Sequence, residues 1–400
     1  MADSGIPEAA ATTGPLSGTV VIDLSRALAG PHAGMMLADM GARVIKVESA
    51  GGDDSRGWGP PFVNPDDGEP AESTYFLSAN RGKESIVLDL KSKDGTAVLT
   101  SLVRRADVLI ENFRPGVLAR MGFGTQELFA LNPGLVLLSI SGFGHDGPQA
   151  TRAGYDQIAQ GESGLMSLTG SGPTDPQKVG VPICDLLAGI NGVAGVLAAL
   201  LDRERTGRGT TVRTSLLAAG ISVHAFQGTR WTVGHQVPAP GGNHHPSISP
   251  YGLFRCLDGA VQIAVGSPLL WIRLCAEFDL DADNPFFATN DDRVQRTSQV
   301  IDLLETTFSS ITAVDLLERL ERAGVPAGQV RSLDQVYESE QVQSQGLQIE
   351  VEHPRLGTVT LPGPPLRFFN SEDRETTRTQ HTAPPVLGAD GEAVRAWASD

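Results

Sequence analysis

Hydrophobic positions in the first 140 residues alternate between the spacing of strands and the spacing of helices. Apolar runs at 19–24 and 44–49 predict two strands, and the segment 30–40 between them has apolar residues at helical spacing. The same order recurs downstream, with predicted strands at 85–90, 108–113 and 135–140 and a helix over 93–105. This alternation predicts an α/β fold with a large, doubly wound, mostly parallel sheet.

The longest helical pattern begins in the stretch VGVPICDLLAG, residues 179–189, and ends at Gly207. The one carboxylate of residues 179–189, Asp185, is predicted to be the N-cap, where an acid accepts backbone N–H groups and stays ionised. A nucleophile and a plain helix cap are both compatible with this residue. Glycines recur at every third position, which predicts close packing by a ligand or by a neighbouring helix; they are Gly189, Gly192 and Gly195.

A change of pattern near residue 226 predicts a second, smaller α+β domain. Residues 226–250 have no periodicity, 251–266 read as a hairpin that turns at Asp258 and Gly259, and helices are expected over 291–309 and 313–323. We therefore expect a disordered tail over 1–17, a large Rossmann-like domain over 18–225 and the small domain over 226–330. Residues 331–400 are expected to return to the large domain and to end in a proline-rich tail.

Composition and charge exclude several classes of partner. A net charge of −16 without runs of Lys or Arg argues against nucleic acid and against an anionic membrane surface. No basic leader and no uninterrupted apolar run of membrane-spanning length is evident. The cysteines Cys184, Cys256 and Cys275 lack CxxC spacing, so we expect a reducing, cytoplasmic location. His244 and His245 have no third ligand spaced to help them, and no metal is expected.

Ligands of parallel sheets bind at the carboxyl ends of the strands, and these ends carry basic residues here. The first turn, RALAGP, lacks the GxGxxG pattern, so NAD is not the expected ligand. A local basic pocket for another anion is one interpretation, and solvated surface charge is the other. The residues concerned are Lys91, Asn112, Phe113 and Arg114, with Arg81, Lys83 and Arg120 nearby.

Seven blocks of sequence, in order from about residue 18 to 387, resemble the class III coenzyme A transferases. That family contains formyl-, carnitine- and succinyl-CoA transferases. The blocks are DLSRALAGPHAGMMLADMGARVIKVE, SANRGKESIVLDLK, ADVLIENFRPGVLARMGF, SGFGHDGP, AGYDQIAQGESGLMSLTG, VGVPICDLLAG and GGNHHPSISPYGLF.

The resemblance implies that Asp185 attacks the thioester of a donor acyl-CoA and forms a mixed anhydride, then an aspartyl-CoA thioester that a carboxylic acid opens. Exposed N–H groups near Asp185 would stabilise the oxyanions. A loop at Gly241 and Gly242 would close over it and exclude water. Coenzyme A is then a substrate and no cofactor is tightly bound. The implied coenzyme A site comprises Leu28, Ala29, Leu88, Lys91, Asn112, Phe113, Arg120 and Tyr155.

The resemblance also implies an interlocked homodimer, and this chain departs from relatives at two places. Ser49 stands where some members bind coenzyme A with an arginine, and the loop is GGN rather than four glycines. Among the family, the blocks are most similar to members that handle succinyl-CoA and dicarboxylates. The donor and the acceptor acid are not identified by the sequence.

Two alternatives to CoA transfer remain at this point. The related α-methylacyl-CoA racemases need a histidine in a GHD motif, whereas this chain has GYD with Tyr155. A phenol with a pKa of about 10 is a poor base at neutral pH, which argues against racemisation. The second alternative is a CoA-binding protein without turnover, against which the intact VGVPICDLLAG block argues.

Overall fold

The structure, a computed structural model, describes residues 13–65 and 68–399. Most of the predicted disordered tail, residues 1–12, lies outside the described residues. The prediction is wrong for its last part, because residues 13–17 are held on the fold. There the Leu16 N–H donates to the Met40 carbonyl at 2.9 Å.

A six-stranded sheet in which every neighbouring pair is parallel forms the centre of a mixed α/β fold. Numbered along the chain within this sheet, the strands lie in the order 3-2-1-4-5-6, so the order reverses between the first and fourth strands. From one edge to the other they are Lys83–Val87, Arg43–Glu48, Val20–Asp23, Val108–Glu111, Val136–Ser141 and Thr211–Ser215.

Successive residues of these strands enter two different apolar clusters. Val21 packs in a cluster with helices Ala29–Asp39 and Ile183–Thr206, while its neighbour Ile22 packs in a cluster with helix Lys93–Arg105. Strands covered in this way are nearly continuous apolar runs, which is why the sequence pattern located five of the six. The sixth, Thr211–Ser215, was not predicted because it is a half-exposed edge strand with alternating polar residues.

Helix Lys93–Arg105 has the predicted bounds, and its start has a clear cause. The Ser92 Oγ accepts the Gly95 N–H at 3.0 Å and satisfies a donor of the first turn. The remaining helices of the first 232 residues and of the C-terminal part are Thr74–Leu77, Val117–Arg120, Thr125–Leu131, Asp156–Glu162, Leu165–Leu168, Leu216–Ser222, Ala225–Thr232, Leu333–Tyr337, Glu340–Ser344 and Gly391–Ser399, with a 3₁₀ turn at Asp54–Gly57.

The long helix Ile183–Thr206 is, among the described residues, the one helix long and apolar enough to cross a membrane, which the sequence analysis did not expect. Core helices meet the same criteria, and this one packs its glycine face on the sheet. A Cβ on Gly192 would lie 2.9 Å from Leu138 Cδ2, and one on Gly195 would lie 2.5 Å from Val212 Cγ1. The glycine repeat therefore serves close packing within the fold.

The chain divides into two compact units. Unit 1 contains residues up to 165, 179–229 and 340 onwards, and unit 2 contains 166–178 and 230–339. The predicted boundaries differ, since 166–178 was placed in the large domain and 331–339 in the returning segment. In unit 1 the C-terminal part adds a hairpin of Gln348–His353 with Gly357–Pro362, and the predicted proline-rich tail ends in helix Gly391–Ser399.

Unit 2 is an α+β unit around a three-stranded antiparallel sheet. Its hairpin turns at Leu257 and Asp258, one residue before the predicted turn, because Cys256 pairs with Gly259. The predicted helix over 291–309 divides at Arg296. The strands are Tyr251–Cys256, Gly259–Ala264 and Ala327–Gln329, and the helices are Pro268–Glu277, Asn290–Gln295, Thr297–Phe308 and Ala313–Arg322.

Candidate active site

A cleft of about 200 Å³ opens where the strand order of the parallel sheet reverses. It is lined by segments 26–29 and 112–115, which follow the first and fourth strands, and by 140–142 and 152–155. Asp54, Trp58, Asp185 and Leu216 complete the lining. Ligands of open α/β sheets bind at such a reversal, so the cleft is the candidate active site.

Asp185 is not the N-cap residue that the sequence pattern predicted. The long helix begins at Ile183 after Pro182, so Asp185 is its third residue. The capping acceptor is Asp156, whose Oδ1 accepts the N–H of Cys184 at 2.7 Å and that of Asp185 at 3.3 Å. No described residue donates a hydrogen bond to the Asp185 carboxylate, which leaves this carboxylate available in the cleft.

Asp156 is a positioning residue that sequence reasoning missed. Its Oδ2 accepts a hydrogen bond from Gln160 Nε2 at 2.6 Å, and Gln160 Oε1 in turn accepts the Val179 N–H at 2.8 Å. One turn of helix Asp156–Glu162 thus holds the segment before Asp185 at two points. The spacing of four residues between the acid and the amide in DQIAQ is the only signal in the sequence.

Burial raises the pKa of Asp185 to about 7, and the negative charge of Asp156 adds to the rise. This contradicts the prediction that a cap position keeps the carboxylate ionised. The physical reason is that the capping hydrogen bonds go to Asp156, so desolvation of Asp185 is not offset. With a pKa near 7, roughly half of the molecules carry an ionised Asp185 at neutral pH.

The first turn of the long helix offers no free N–H for an oxyanion. The Ile183 N–H donates to the Val181 carbonyl at 2.8 Å and the Leu186 N–H to the Pro182 carbonyl at 3.1 Å. The two N–H groups between them donate to Asp156. Donors for the oxyanions, expected among exposed N–H groups near Asp185, would therefore have to come from another segment of the cleft.

The loop at 26–29 is held in an unusual conformation by groups beneath the cleft. Ala27 has a φ of 64°, in the left-handed region that side chains rarely adopt. Its N–H donates to Asp53 Oδ1 at 3.1 Å, and Asn112 binds the N–H and carbonyl of Arg26 at 2.8 and 2.7 Å. Asn112, predicted to bind coenzyme A, thus uses both polar atoms of its side chain to position this loop.

Two fully buried ion pairs support the same edge of the sheet. Lys46 Nζ lies 2.8 Å from Asp53 Oδ2, and it donates to the Ser25 carbonyl at 2.9 Å. Lys83 Nζ lies 2.9 Å from Asp23 Oδ2. Removing one partner of such a pair leaves an uncompensated buried charge and costs about 3–5 kcal/mol. Lys83, and Arg81 bound to Asp39 at 2.6 Å, are structural cations rather than ligand-binding ones.

A second cavity of about 440 Å³ adjoins the cleft and shares Arg26 and Phe113 with it. The predicted coenzyme A residues divide between the two spaces, and Arg120 lines neither of them. Ser49, at the position of the missing arginine, lines the second cavity. Leu28, Ala29, Asn112, Phe113 and Tyr155 line the cleft together with Asp185, while Leu88 and Lys91 line the second cavity.

Arg152 is a cleft cation that the sequence analysis did not single out. Its guanidinium lies 2.6 Å from Glu162 and 4.5 Å from the centre of the Phe143 ring. Both partners of the ion pair are about two-fifths exposed, at 40% and 41%. Such solvent-exposed pairs add little to stability, so a carboxylate ligand can exchange with Glu162.

The predicted lid glycines lie in unit 2, whereas Asp185 lies in unit 1. Gly242 has a φ of 62°, and its N–H donates to the Gly170 carbonyl at 3.0 Å. A Cβ on Gly241 would meet only the His244 carbonyl oxygen, at an ordinary 3.4 Å. Backbone conformation thus explains a glycine at 242 and leaves 241 unexplained. Within 13–65 and 68–399, no three His, Cys, Asp or Glu side chains are grouped as metal ligands.

These features define an α/β enzyme with an unbonded carboxylate in a cleft at the sheet reversal. A family model described as CoA-transferase family III matches residues 16–391. The chain belongs to CoA-transferase family III, which confirms the resemblance drawn from the seven blocks.

Relatives of known name and fold extend over nearly the whole chain. A succinate–glutarate CoA-transferase of Agrobacterium fabrum is 45% identical over 352 residues, covering 87% of this chain and 88% of that protein. The human succinyl-CoA:glutarate CoA-transferase is 36% identical over 377 residues, covering 94% and 84%. A crystal structure of a CAIB/BAIF family protein from Brucella suis has a TM-score of 0.85 at 38% identity, covering 96% and 100%.

The protein is therefore an enzyme, a CoA-transferase, which was the function favoured over the two alternatives.

Proposed function

We propose that this CoA-transferase moves coenzyme A from succinyl-CoA to a second dicarboxylic acid, with glutarate as the first acceptor to test. The observation that carries the proposal is the Asp185 carboxylate, which faces the cleft without a hydrogen bond and shares that cleft with Arg152. A nucleophile and a separate cation suit an acid with one carboxylate to react and another to bind. Relatives at 36–45% identity are named for succinate and glutarate.

In the proposed mechanism an oxygen of ionised Asp185 attacks the thioester carbonyl of the donor. The C–S bond breaks, coenzyme A leaves as the thiolate, and the acyl group remains on Asp185 as a mixed anhydride. The thiolate then attacks the Asp185 carbonyl and releases the donor acid as its carboxylate. The acceptor carboxylate attacks the resulting aspartyl-CoA thioester, whose C–S bond breaks, so that coenzyme A leaves again as the thiolate and a new mixed anhydride forms. The thiolate then attacks the acceptor carbonyl of this anhydride, which gives the acceptor's CoA thioester and frees the Asp185 carboxylate.

The remaining residues of the cleft position the reactants and exclude water. Leu28, Ala29 and Phe113 offer apolar surface for the pantetheine arm, and Lys91 beside the second cavity offers charge for the phosphates. The loop at Gly241 and Gly242 is proposed as the lid that protects the anhydride, because an anhydride open to solvent would hydrolyse.

A direct experiment measures transfer and the covalent intermediate together. A panel of acyl-CoA donors against free mono- and dicarboxylic acids, followed by mass spectrometry, should show the fastest exchange between succinyl-CoA and glutarate. Incubation with succinyl-CoA and hydroxylamine should inactivate the enzyme and place the hydroxamate on the peptide that contains Asp185. Faster transfer to monocarboxylic acids, or a hydroxamate on another carboxylate, would contradict the proposal.

We also propose a doubly wound large domain, a homodimer and a cytoplasmic location. The two apolar clusters at alternate strand residues support the first, and the three free cysteines support the last. The dimer is supported by exposed apolar side chains of unit 1, among them Ile190, Leu201, Ile221 and Phe226, because large exposed apolar surface marks an interface. Light scattering should give twice the mass of one chain, and an active monomer at nanomolar concentration would contradict it.

A further inference from the structure

A buried acid that ends the fourth strand of the sheet has no role in the transfer described so far. Glu111 is the last residue of that strand and is 7% exposed. Its Oε2 accepts the Phe113 N–H at 2.9 Å, in the loop 112–115 that lines the cleft. Phe113 lines both the cleft and the second cavity. The Glu111 carboxylate therefore holds the backbone of a residue that borders both spaces.

A chain of hydrogen bonds fixes the Glu111 carboxylate through its other oxygen. The Ser139 hydroxyl donates to Glu111 Oε1, and His145 Nε2 lies 2.7 Å from Ser139 Oγ. Since the single hydroxyl proton of Ser139 goes to Glu111, His145 donates its Nε2–H to Ser139. His145 belongs to the loop after the fifth strand, whose first residue, Gly142, also lines the cleft. The chain thus connects the loops that follow the fourth and fifth strands.

The groups around Glu111 support its role as a hydrogen-bond acceptor. Burial raises the pKa of Glu111, and its two donors and the charge of Arg213 offset part of this rise. Ser139 and Arg213 lie beside Glu111 in one row across neighbouring strands of the sheet. A buried acceptor with partners on several sides has a fixed position, so its hydrogen bond restrains the loop that carries Phe113.

We propose that Glu111 is a positioning residue of the transfer reaction, which holds Phe113 where its ring meets the coenzyme A part of the donor. Both carboxylate oxygens of Glu111 are occupied, so it acts on the substrate through Phe113 and not directly. The inference rests on the proposed contact of Phe113 with the pantetheine arm. A charge-assisted hydrogen bond is stronger than a neutral one, so removal of the carboxylate releases the loop and weakens the binding of coenzyme A.

Calorimetric titration of the full-length protein with free coenzyme A, and steady-state assays with the fastest donor of the acyl-CoA panel, test the inference. Glu111→Ala leaves the Phe113 N–H without its acceptor, so the Kd of coenzyme A and the KM of the donor should rise about tenfold or more. The kcat should stay within about threefold, because Asp185 is unchanged. Glu111→Gln keeps an oxygen for Phe113 and an amide that donates to Ser139, so both constants should return to within about threefold of the wild type.

Two further variants separate the inference from the contact on which it rests. Glu72→Ala is the matched control, since Glu72 is also 7% exposed and pairs with Arg355 at 2.8 Å away from the cleft lining. It should lower the midpoint of urea unfolding and leave the affinity for coenzyme A unchanged.

Phe113→Ala should itself weaken the binding of coenzyme A. Unchanged affinity in this variant would show that the ring does not contact coenzyme A, which overturns the inference together with that part of the proposed function. Normal affinity in Glu111→Ala beside weakened affinity in Phe113→Ala overturns the inference alone. So does a Glu111→Gln variant as weak as Glu111→Ala, or an equal loss of affinity in Glu72→Ala.

Discussion

Replacing Asp185 by Asn should raise the stability of the protein at alkaline pH while it abolishes transfer. The pKa of Asp185 is raised from 3.8 to about 7 by burial and by Asp156. Between these values the folded protein binds more protons at this site than the unfolded chain, so stability falls as pH rises. Above pH 7 the full cost is present, and below pH 4 it vanishes.

The size of the effect follows from the shift. Roughly three pKa units at about 1.36 kcal/mol each give an upper limit of about 4 kcal/mol, and partial exposure of the side chain reduces it to about half. Asp185→Asn is neutral at every pH and escapes this cost. We expect the variant to match the wild type near pH 4 and to exceed it by about 2 kcal/mol at pH 8.

Urea unfolding across this pH range measures the difference, and transfer assays measure the loss of the nucleophile. Turnover should fall by about four or more orders of magnitude, as it does when covalent nucleophiles are removed. Asp202→Asn, at the exposed other end of the same helix, is the control and should show no gain that grows with pH. A flat stability difference between pH 4 and 8, or near-normal turnover, would refute the reasoning.

Asp156, the acid that raises the pKa of Asp185, provides a second test, because removing its charge should lower that pKa. Asp156→Asn keeps a side-chain oxygen for the Cys184 N–H but removes the charge that raises the pKa of Asp185. The kcat/KM of the wild type should rise with pH through about 7, since the free enzyme must ionise Asp185. In the Asp156 variant this rise should occur at lower pH, with transfer retained. An unchanged midpoint would show that Asp156 does not act on Asp185 electrostatically.

Five further substitutions test the packing, the lid and the cleft cation. Gly189→Ala would place a Cβ 2.8 Å from the Ala29 carbonyl oxygen and should raise the KM for acyl-CoA, whereas Gly195→Ala should lower only the midpoint of urea unfolding. Gly241→Ala should slow transfer if the loop is a lid and leave it unchanged if the loop is a plain turn, whereas Gly242→Ala should strain the loop whatever its role because of its left-handed φ. Arg152→Ala should raise the KM for glutarate about tenfold or more and leave that for butyrate unchanged in steady-state assays.

The strands of the central sheet could be predicted because burial on both faces leaves a signal within each strand's own sequence. Strands buried on both faces are continuous apolar runs, and the predicted ranges match five of the six observed strands to within a few residues. The edge strand Thr211–Ser215 has no such run, since its sequence TVRTS is mostly polar and only Ser215 is buried. The chain enters unit 2 at residues 166–178 and then returns to unit 1. This excursion was not predicted, because the composition of the sequence does not change there.

The candidate site was only half predictable, and the reason is distance along the chain. Asp185 was visible because a single carboxylate precedes a long apolar pattern. Its capping partner Asp156 is 28 residues from Cys184, and the Asp53 that holds Ala27 is 26 residues away. Contacts between residues so far apart in the chain produce no periodic pattern in the sequence. The helical pattern alone therefore predicted that Asp185 itself was the cap.

The assignment of the capping role to Asp156 has a chemical consequence for the nucleophile. A carboxylate that accepts several N–H groups is stabilised as the anion and is correspondingly less basic and less nucleophilic. By accepting the Cys184 and Asp185 N–H groups, Asp156 satisfies the helix start and leaves Asp185 desolvated beside a second negative charge. The cost is an Asp185 that is only about half ionised at neutral pH, and in the proposed mechanism the gain is an anion that forms an acyl bond more readily. On the proposed mechanism, two carboxylates at one helix start thus divide the structural and the chemical task between them.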